Sequence, residues 1–136
     1  MAHILVVDDE PEIRDFCAVA LREAGHQVML ADNGQSALDI HRIKPQDVVL
    51  LDMFMPIKDG LETLKALRQS NPTPLVIAVS AGWRVTGRRT ATERAPRDVL
   101  DEARALGADA VLHKPFDPDE LVRTVQLLID HPRRTP

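Results

Sequence analysis

Short apolar runs alternate with stretches of helical periodicity along almost the whole chain, and most of the runs break off at a charged or hydroxyl residue. Ile4 to Val7 is the first, and it stops at Asp8, Asp9 and Glu10, as a buried parallel strand does where it emerges at the edge of its sheet. Pro11 suits the first turn of a helix. Ile13, Phe16, Cys17, Ala20, Leu21 and Ala24 then recur on one helical face, which Gly25 closes. That spacing puts Cys17 on the core side, as a small buried hydrophobe. The alternation repeats with Gln27 to Leu30 as strand, Gln35 to Ile43 as helix, Asp47 to Leu51 as strand and Leu61 to Gln69 as helix. Leu75 to Val79 and Asp109 to Leu112 read as the last strands, with a helix starting near Asp98 between them. The final helix runs from about Pro118 to Ile129, with Asp117 as its N-cap. Five strand–helix pairs predict an α/β domain with a doubly wound parallel sheet covered on both faces.

Composition supports one such domain. The chain has 136 residues, of which 44% are hydrophobic and only 3% aromatic, so aliphatic side chains must fill the core. A formal charge of −4 with 21 acidic residues argues against nucleic-acid binding through a global positive field. One cysteine cannot form an intramolecular disulfide, no charged-then-apolar leader precedes the first strand, and no apolar run approaches the roughly 20 residues of a membrane helix. A cytoplasmic protein without a membrane partner is the expectation. One stretch departs from the rhythm: Gly82 to Arg97 carries Arg84, Arg88, Arg89, Arg94 and Arg97 against a single acid, Glu93. A solvated connecting loop is the plain reading of such a segment.

In an open parallel sheet, ligands gather beyond the carboxyl ends of the strands. Asp8 and Asp9 follow the first strand, Asp52 the third, Ser80 the fourth, and Lys114 with Pro115 the fifth, while the second offers only Ala31 and Asp32. Any one acid alone reads as a solvated strand end or helix cap. Four such ends together point to a site. Three converging carboxylates repel unless a cation or protons compensate them. Oxygen donors with no His or Cys at metal spacing favour Mg²⁺. His3, His26, His41, His113 and His131 are scattered, give zinc no support, and are each expected at the surface. A carboxylate beside Mg²⁺, a hydroxyl and an ammonium makes a phosphoryl-transfer site, because metal and lysine neutralise charge on the equatorial oxygens. Asp52 is then the candidate nucleophile, forming a labile acyl phosphate.

As a set, these residues lie in motifs that resemble the receiver domain of response regulators, the CheY-like phosphoacceptors of two-component signalling. The motifs are Val6-Val7-Asp8-Asp9-Glu10, Leu50-Leu51-Asp52-Met53-Phe54-Met55-Pro56 with Asp59-Gly60, Ser80-Ala81, Gly107-Ala108-Asp109 and Lys114-Pro115-Phe116. The resemblance implies a flavodoxin-like (βα)₅ domain over residues 1–130, with the arginine-rich stretch as an insertion at about 82–97 between the fourth strand and fourth helix, and a short tail at 131–136. It implies that Asp52 takes a phosphoryl group from a sensor histidine kinase or a histidine phosphotransfer protein. Asp8, Asp9, Asp52 and the backbone carbonyl of Phe54 would hold Mg²⁺, Ser80 would be the switch hydroxyl, and Lys114 would bind another phosphoryl oxygen through a cis Lys114–Pro115 linkage. Such a domain catalyses its own phosphorylation and dephosphorylation but is a signalling module rather than an enzyme. It switches the surface of the fourth helix, fifth strand and fifth helix toward a downstream protein or a phosphorylation-dependent homodimer.

Three features depart from the family's pattern. Val111 stands three positions before the lysine, where an aromatic ring usually follows the switch hydroxyl. The stretch from Ser80 to Lys114 exceeds the usual by about a dozen residues, against roughly 2 to 6 for an ordinary connection. Bulky Met53 and Phe54 follow the phosphoacceptor, where they shield the acyl phosphate or simply pack. With no ring to flip, ordering of the arginine-rich loop around the phosphoryl group, with Trp83 as anchor, is one candidate carrier of the signal. An aspartyl-phosphate phosphatase would carry its nucleophile after the first strand, and a nucleotide-binding module would carry a Gly-rich loop there. A docking-only module would not need the full set of Asp8, Asp9, Asp52, Ser80 and Lys114. The tail Pro132-Arg133-Arg134-Thr135-Pro136 reads as a natural terminus or as the start of a linker in a larger regulator or hybrid kinase.

Overall fold

The computed structural model describes residues 1–53, 60–80 and 103–131, with Ser80 described through its backbone only. Five strands form one parallel sheet: β1 His3–Val7, β2 Gln27–Ala31, β3 Val48–Asp52, β4 Leu75–Ser80 and β5 Ala110–His113. Their order is β2-β1-β3-β4-β5, and every neighbouring pair is parallel. The helices are α1 Pro11–Glu23, α2 Gly34–Ile43, α3 Gly60–Arg68, helical residues 103–105 (α4) and α5 Pro118–Asp130. This single α/β domain has the flavodoxin-like topology, in which the strand order reverses between β1 and β3.

The two-residue period of a strand sends alternate side chains to opposite faces. Leu5, Val7, Val49, Leu51, Val76 and Ala78 face one way and pack with Ala37 of α2, Leu64 and Leu67 of α3, and Ala103. Ile4, Val6, Val48, Leu50, Ile77, Val79 and Leu112 face the other way, against Cys17, Ala20 and Leu21 of α1 and Leu121 and Val125 of α5. Both faces of β1 and β3 are therefore buried, which is why these strands read as continuous apolar runs.

Local chemistry sets the ends. Pro11 opens α1, and Gly25 takes a positive φ of 97° just beyond it, a conformation costly for any side chain. Asn33 caps α2 through Ser36 N–H, and Asp117 caps α5 through Glu120 N–H at 2.7 Å. The Asn71–Pro72 and Lys114–Pro115 peptides are cis.

Several expectations need correcting. β2, β3, β4 and β5 each end one residue later than the periodicity suggests, which makes Asp52 and Ser80 the terminal residues of their strands. Phe16 stays partly exposed at the rim of α1, tilted against Phe116 with ring centroids 6.0 Å apart. His26 and His41 are buried, not on the surface. His41 Nδ1 accepts from Gln46 N–H at 3.0 Å and its Nε2 lies 2.9 Å from Pro72 O, while His26 Nδ1 accepts from Ala2 N–H at 3.1 Å. Each imidazole thus satisfies loop backbone in the interior, a role that periodicity does not register.

Candidate phosphoacceptor and metal site

The carboxyl edge of the sheet gathers acid at the point where strand order reverses. β1 ends at Val7 and β3 at Asp52, and their register pairs Val7 with Leu51, so Asp8 and Asp52 emerge side by side. Asp8 is fixed from three directions. Its N–H donates to Ala31 O at 3.1 Å, its Oδ1 accepts from Glu10 N–H at 2.9 Å, and its carbonyl accepts from Arg14 Nη1 at 2.7 Å. Met53 N–H donates to Val79 O at 2.9 Å, tying the residue after Asp52 to β4. Gly60 sits against this turn so closely that a Cβ would stand 2.4 Å from Met53 Cα and 2.7 Å from Asp52 O. Only glycine lets α3 begin there.

One oxygen each from Asp8, Asp9 and Asp52 lies within 4.8 Å of the other two. Asp8 and Asp52 are buried, and Asp9 is half-buried with its Oδ1 enclosed and without a hydrogen-bond partner. Lys114, directly after β5, reaches back over the sheet edge to place Nζ 2.8 Å from Asp8 Oδ2, 3.3 Å from Glu10 Oε1 and 3.9 Å from Asp52 Oδ2. Burial raises the Asp8 carboxyl above the usual carboxylate range, and the Lys114 and Glu10 N–H bonds offset it only in part. Burial pulls the Lys114 ammonium down, but the charge of Asp52, then Asp8 and Glu10, outweighs it and holds the pKa above the ordinary lysine value. Among the described residues one ammonium faces three carboxylates, and an all-oxygen donor set with one enclosed, unpartnered oxygen on Asp9 fits a hard divalent cation.

The structure brings together Asp8, Asp9, Asp52 and Lys114 from three strand ends. Ser80 closes β4, opposite His113 in the register with β5. Phe54, Asp59, Trp83, the arginine-rich stretch 82–97 and the tail 132–136 lie outside the described residues. Val111 is half-buried against the α2/α3 face of the sheet. Sequence reasoning missed two contacts, Glu10 on Lys114 and Arg14 on the Asp8 carbonyl; the acidic run Asp8-Asp9-Glu10 was the available signal for the first.

Residues 4–126 match the family of the response regulator receiver domain. The chain belongs to that family. Among its relatives, the transcriptional regulatory protein CpxR of Escherichia coli (strain K12) is 37% identical over 131 residues, covering 95% of this chain and 50% of that protein. The receiver thus spans about half the length of this curated relative. Among solved structures, the chemotaxis protein CheY4 of Vibrio cholerae superposes with a TM-score of 0.77 at 32% identity, covering 93% of this chain and 98% of that one. NtrX of Brucella abortus gives 0.82 at 29% identity, over 95% of this chain and 27% of that one. Receiver domains are signalling modules of two-component systems and typically hold Mg²⁺ at an acidic cluster of this kind. Among the described residues no helix is long and apolar enough to cross a membrane.

Proposed function

We propose that this receiver is a reversible phosphoacceptor in which Asp52 takes a phosphoryl group from a phosphohistidine of a sensor kinase or phosphotransfer protein. The observation that carries this reading is the convergence of three carboxylates with the Lys114 ammonium at one sheet edge. A carboxylate oxygen of Asp52 attacks phosphorus in line, the N–P bond breaks, and the leaving imidazole takes up a proton. Asp8 and Asp9, with Asp52 and the Phe54 carbonyl, hold Mg²⁺, which when bound neutralises charge on the transferring group. Lys114 supplies a second positive charge, and Ser80 at the end of β4 offers the switch hydroxyl. Hydrolysis of the acyl phosphate by water returns Asp52 to its resting state. The receiver works in the cytoplasm, and its α4–β5–α5 surface addresses a downstream protein or a second copy of itself. The relatives named as transcriptional regulators point to a DNA-binding output elsewhere in such proteins, while this net-acidic receiver makes no nucleic-acid contact of its own.

The position is tested by phosphorylating with acetyl phosphate and Mg²⁺, reducing with borohydride, and mapping peptides. An acyl phosphate at residue 52 converts to homoserine there. Conversion at any other residue contradicts the assignment.

A further inference from the structure

A cavity of about 480 Å³ opens between β2, α1 and α2, outside the metal cluster, and Arg14, Leu30, Ala31, Asp32, Asp39 and Ile40 line it. That volume lies within the roughly 300–1,000 Å³ of small-molecule sites. Two backbone contacts fix one wall: Arg14 Nη1 donates to the Asp8 carbonyl at 2.7 Å, and Ala31 O accepts from Asp8 N–H at 3.1 Å. With one nitrogen pinned in this way, the guanidinium keeps further N–H donors for a second acceptor and loses little freedom in meeting it.

Arg14 forms no ion pair with Asp32 or Asp39, although all three line the same space. Asp39 is compensated from outside: its Oδ1 accepts from Arg42 Nη2 at 3.1 Å and from Gln35 Nε2 at 3.2 Å. Asp32 accepts from the neutral Asn33 Nδ2 at 2.7 Å and has no cationic partner among the described residues. The cavity therefore presents one cation and one anion that do not meet, with the half-buried Leu30 and Ile40 as an apolar wall. Opposite charges held apart over such a wall complement a ligand that carries a carboxylate and an ammonium on a short aliphatic frame. We propose that this cavity binds a free aliphatic α-amino acid, its carboxylate on Arg14, its ammonium on Asp32 and its side chain against Leu30 and Ile40.

The test is a ¹H–¹⁵N titration of the full chain with L-leucine, without Mg²⁺ or phosphodonor. Saturable shifts at the Ala31 and Asp32 amides, with a Kd of order 1 mM, are expected. Leucinamide, which lacks the carboxylate, and isocaproate, which lacks the ammonium, each bind about fivefold more weakly, the scale of one exposed ion pair. Asp32→Asn, a change at an exposed position, weakens leucine about fivefold without weakening isocaproate. Arg14→Gln weakens leucine without weakening leucinamide. If isocaproate binds as tightly as leucine, or Asp32→Asn leaves leucine binding unchanged, the cavity is at most a general anion contact and the proposal is overturned. Shifts that are absent, or that never saturate up to the solubility of leucine, overturn it as well.

Discussion

At the scale of single residues, the site is a charge balance in which, among the described residues, the Lys114 ammonium faces the carboxylates of Asp8 and Asp52. Removing the ammonium takes away the ion pair that two buried carboxylates, Asp8 and Asp52, share. Lys114→Ala is therefore expected to lower unfolding stability by about 1–3 kcal/mol in EDTA, with much of the gap closing in millimolar Mg²⁺; denaturant titration in the two buffers reads this, and equal loss in both denies the substitution of charge by charge. The sign with pH follows from the raised pKa of Lys114. Its stabilising contribution is complete below the ordinary lysine value of 10.5 and is lost as pH rises through the higher folded-state value. Cys17 is fully buried, and burial pushes its thiol up to about 12. Labelling by a thiol reagent at pH 8 should accordingly run at the rate of structural opening and rise with denaturant; rapid labelling of the native protein contradicts that placement. Asp8, Asp9, Asp52 and Lys114 could be picked out beforehand because each follows a recognisable apolar strand. Glu10 stands in the same acidic run, but its contact does not show there, because it depends on a lysine four strands later in the chain reaching back over the sheet edge. The burial of His26 and His41 was equally hidden, since backbone partners such as Ala2 N–H and Pro72 O leave no periodic trace.

At the scale of elements, precise ends matter more than lengths. Gly60 opens α3 directly behind Asp52, where a Cβ would meet backbone atoms that cannot move independently. Gly60→Ala should cost more than about 2 kcal/mol and displace Asp52, read as a weaker response to beryllofluoride; a neutral substitution at this position denies the close approach. Asp117→Ala removes the cap on Glu120 N–H and should cost about 1 kcal/mol in denaturant unfolding without altering Mg²⁺ binding, because α5 lies outside the metal cluster. The element types and their order were legible from periods of two and 3.6 in the apolar pattern. Four strands, β2 to β5, run one residue past the expected end; at β3, β4 and β5 that residue is Asp52, Ser80 or His113, polar but still part of the backbone ladder.

At the scale of the whole molecule, a sheet buried on both faces by aliphatic side chains supplies a rigid floor, and the strand order β2-β1-β3-β4-β5 places its reversal under Asp8 and Asp52. The doubly wound class followed from alternation alone, whereas the convergence of residues more than 100 positions apart, such as Glu10 and Lys114, needs the fold. The central claim is that this floor presents Asp52 as a metal-dependent phosphoacceptor. Intact mass after incubation with acetyl phosphate and Mg²⁺ tests it most directly. Wild type should gain about 80 Da, one phosphoryl group per chain, and both Asp52→Asn and wild type in excess EDTA should gain none; a gain that persists in Asp52→Asn or in EDTA contradicts the account.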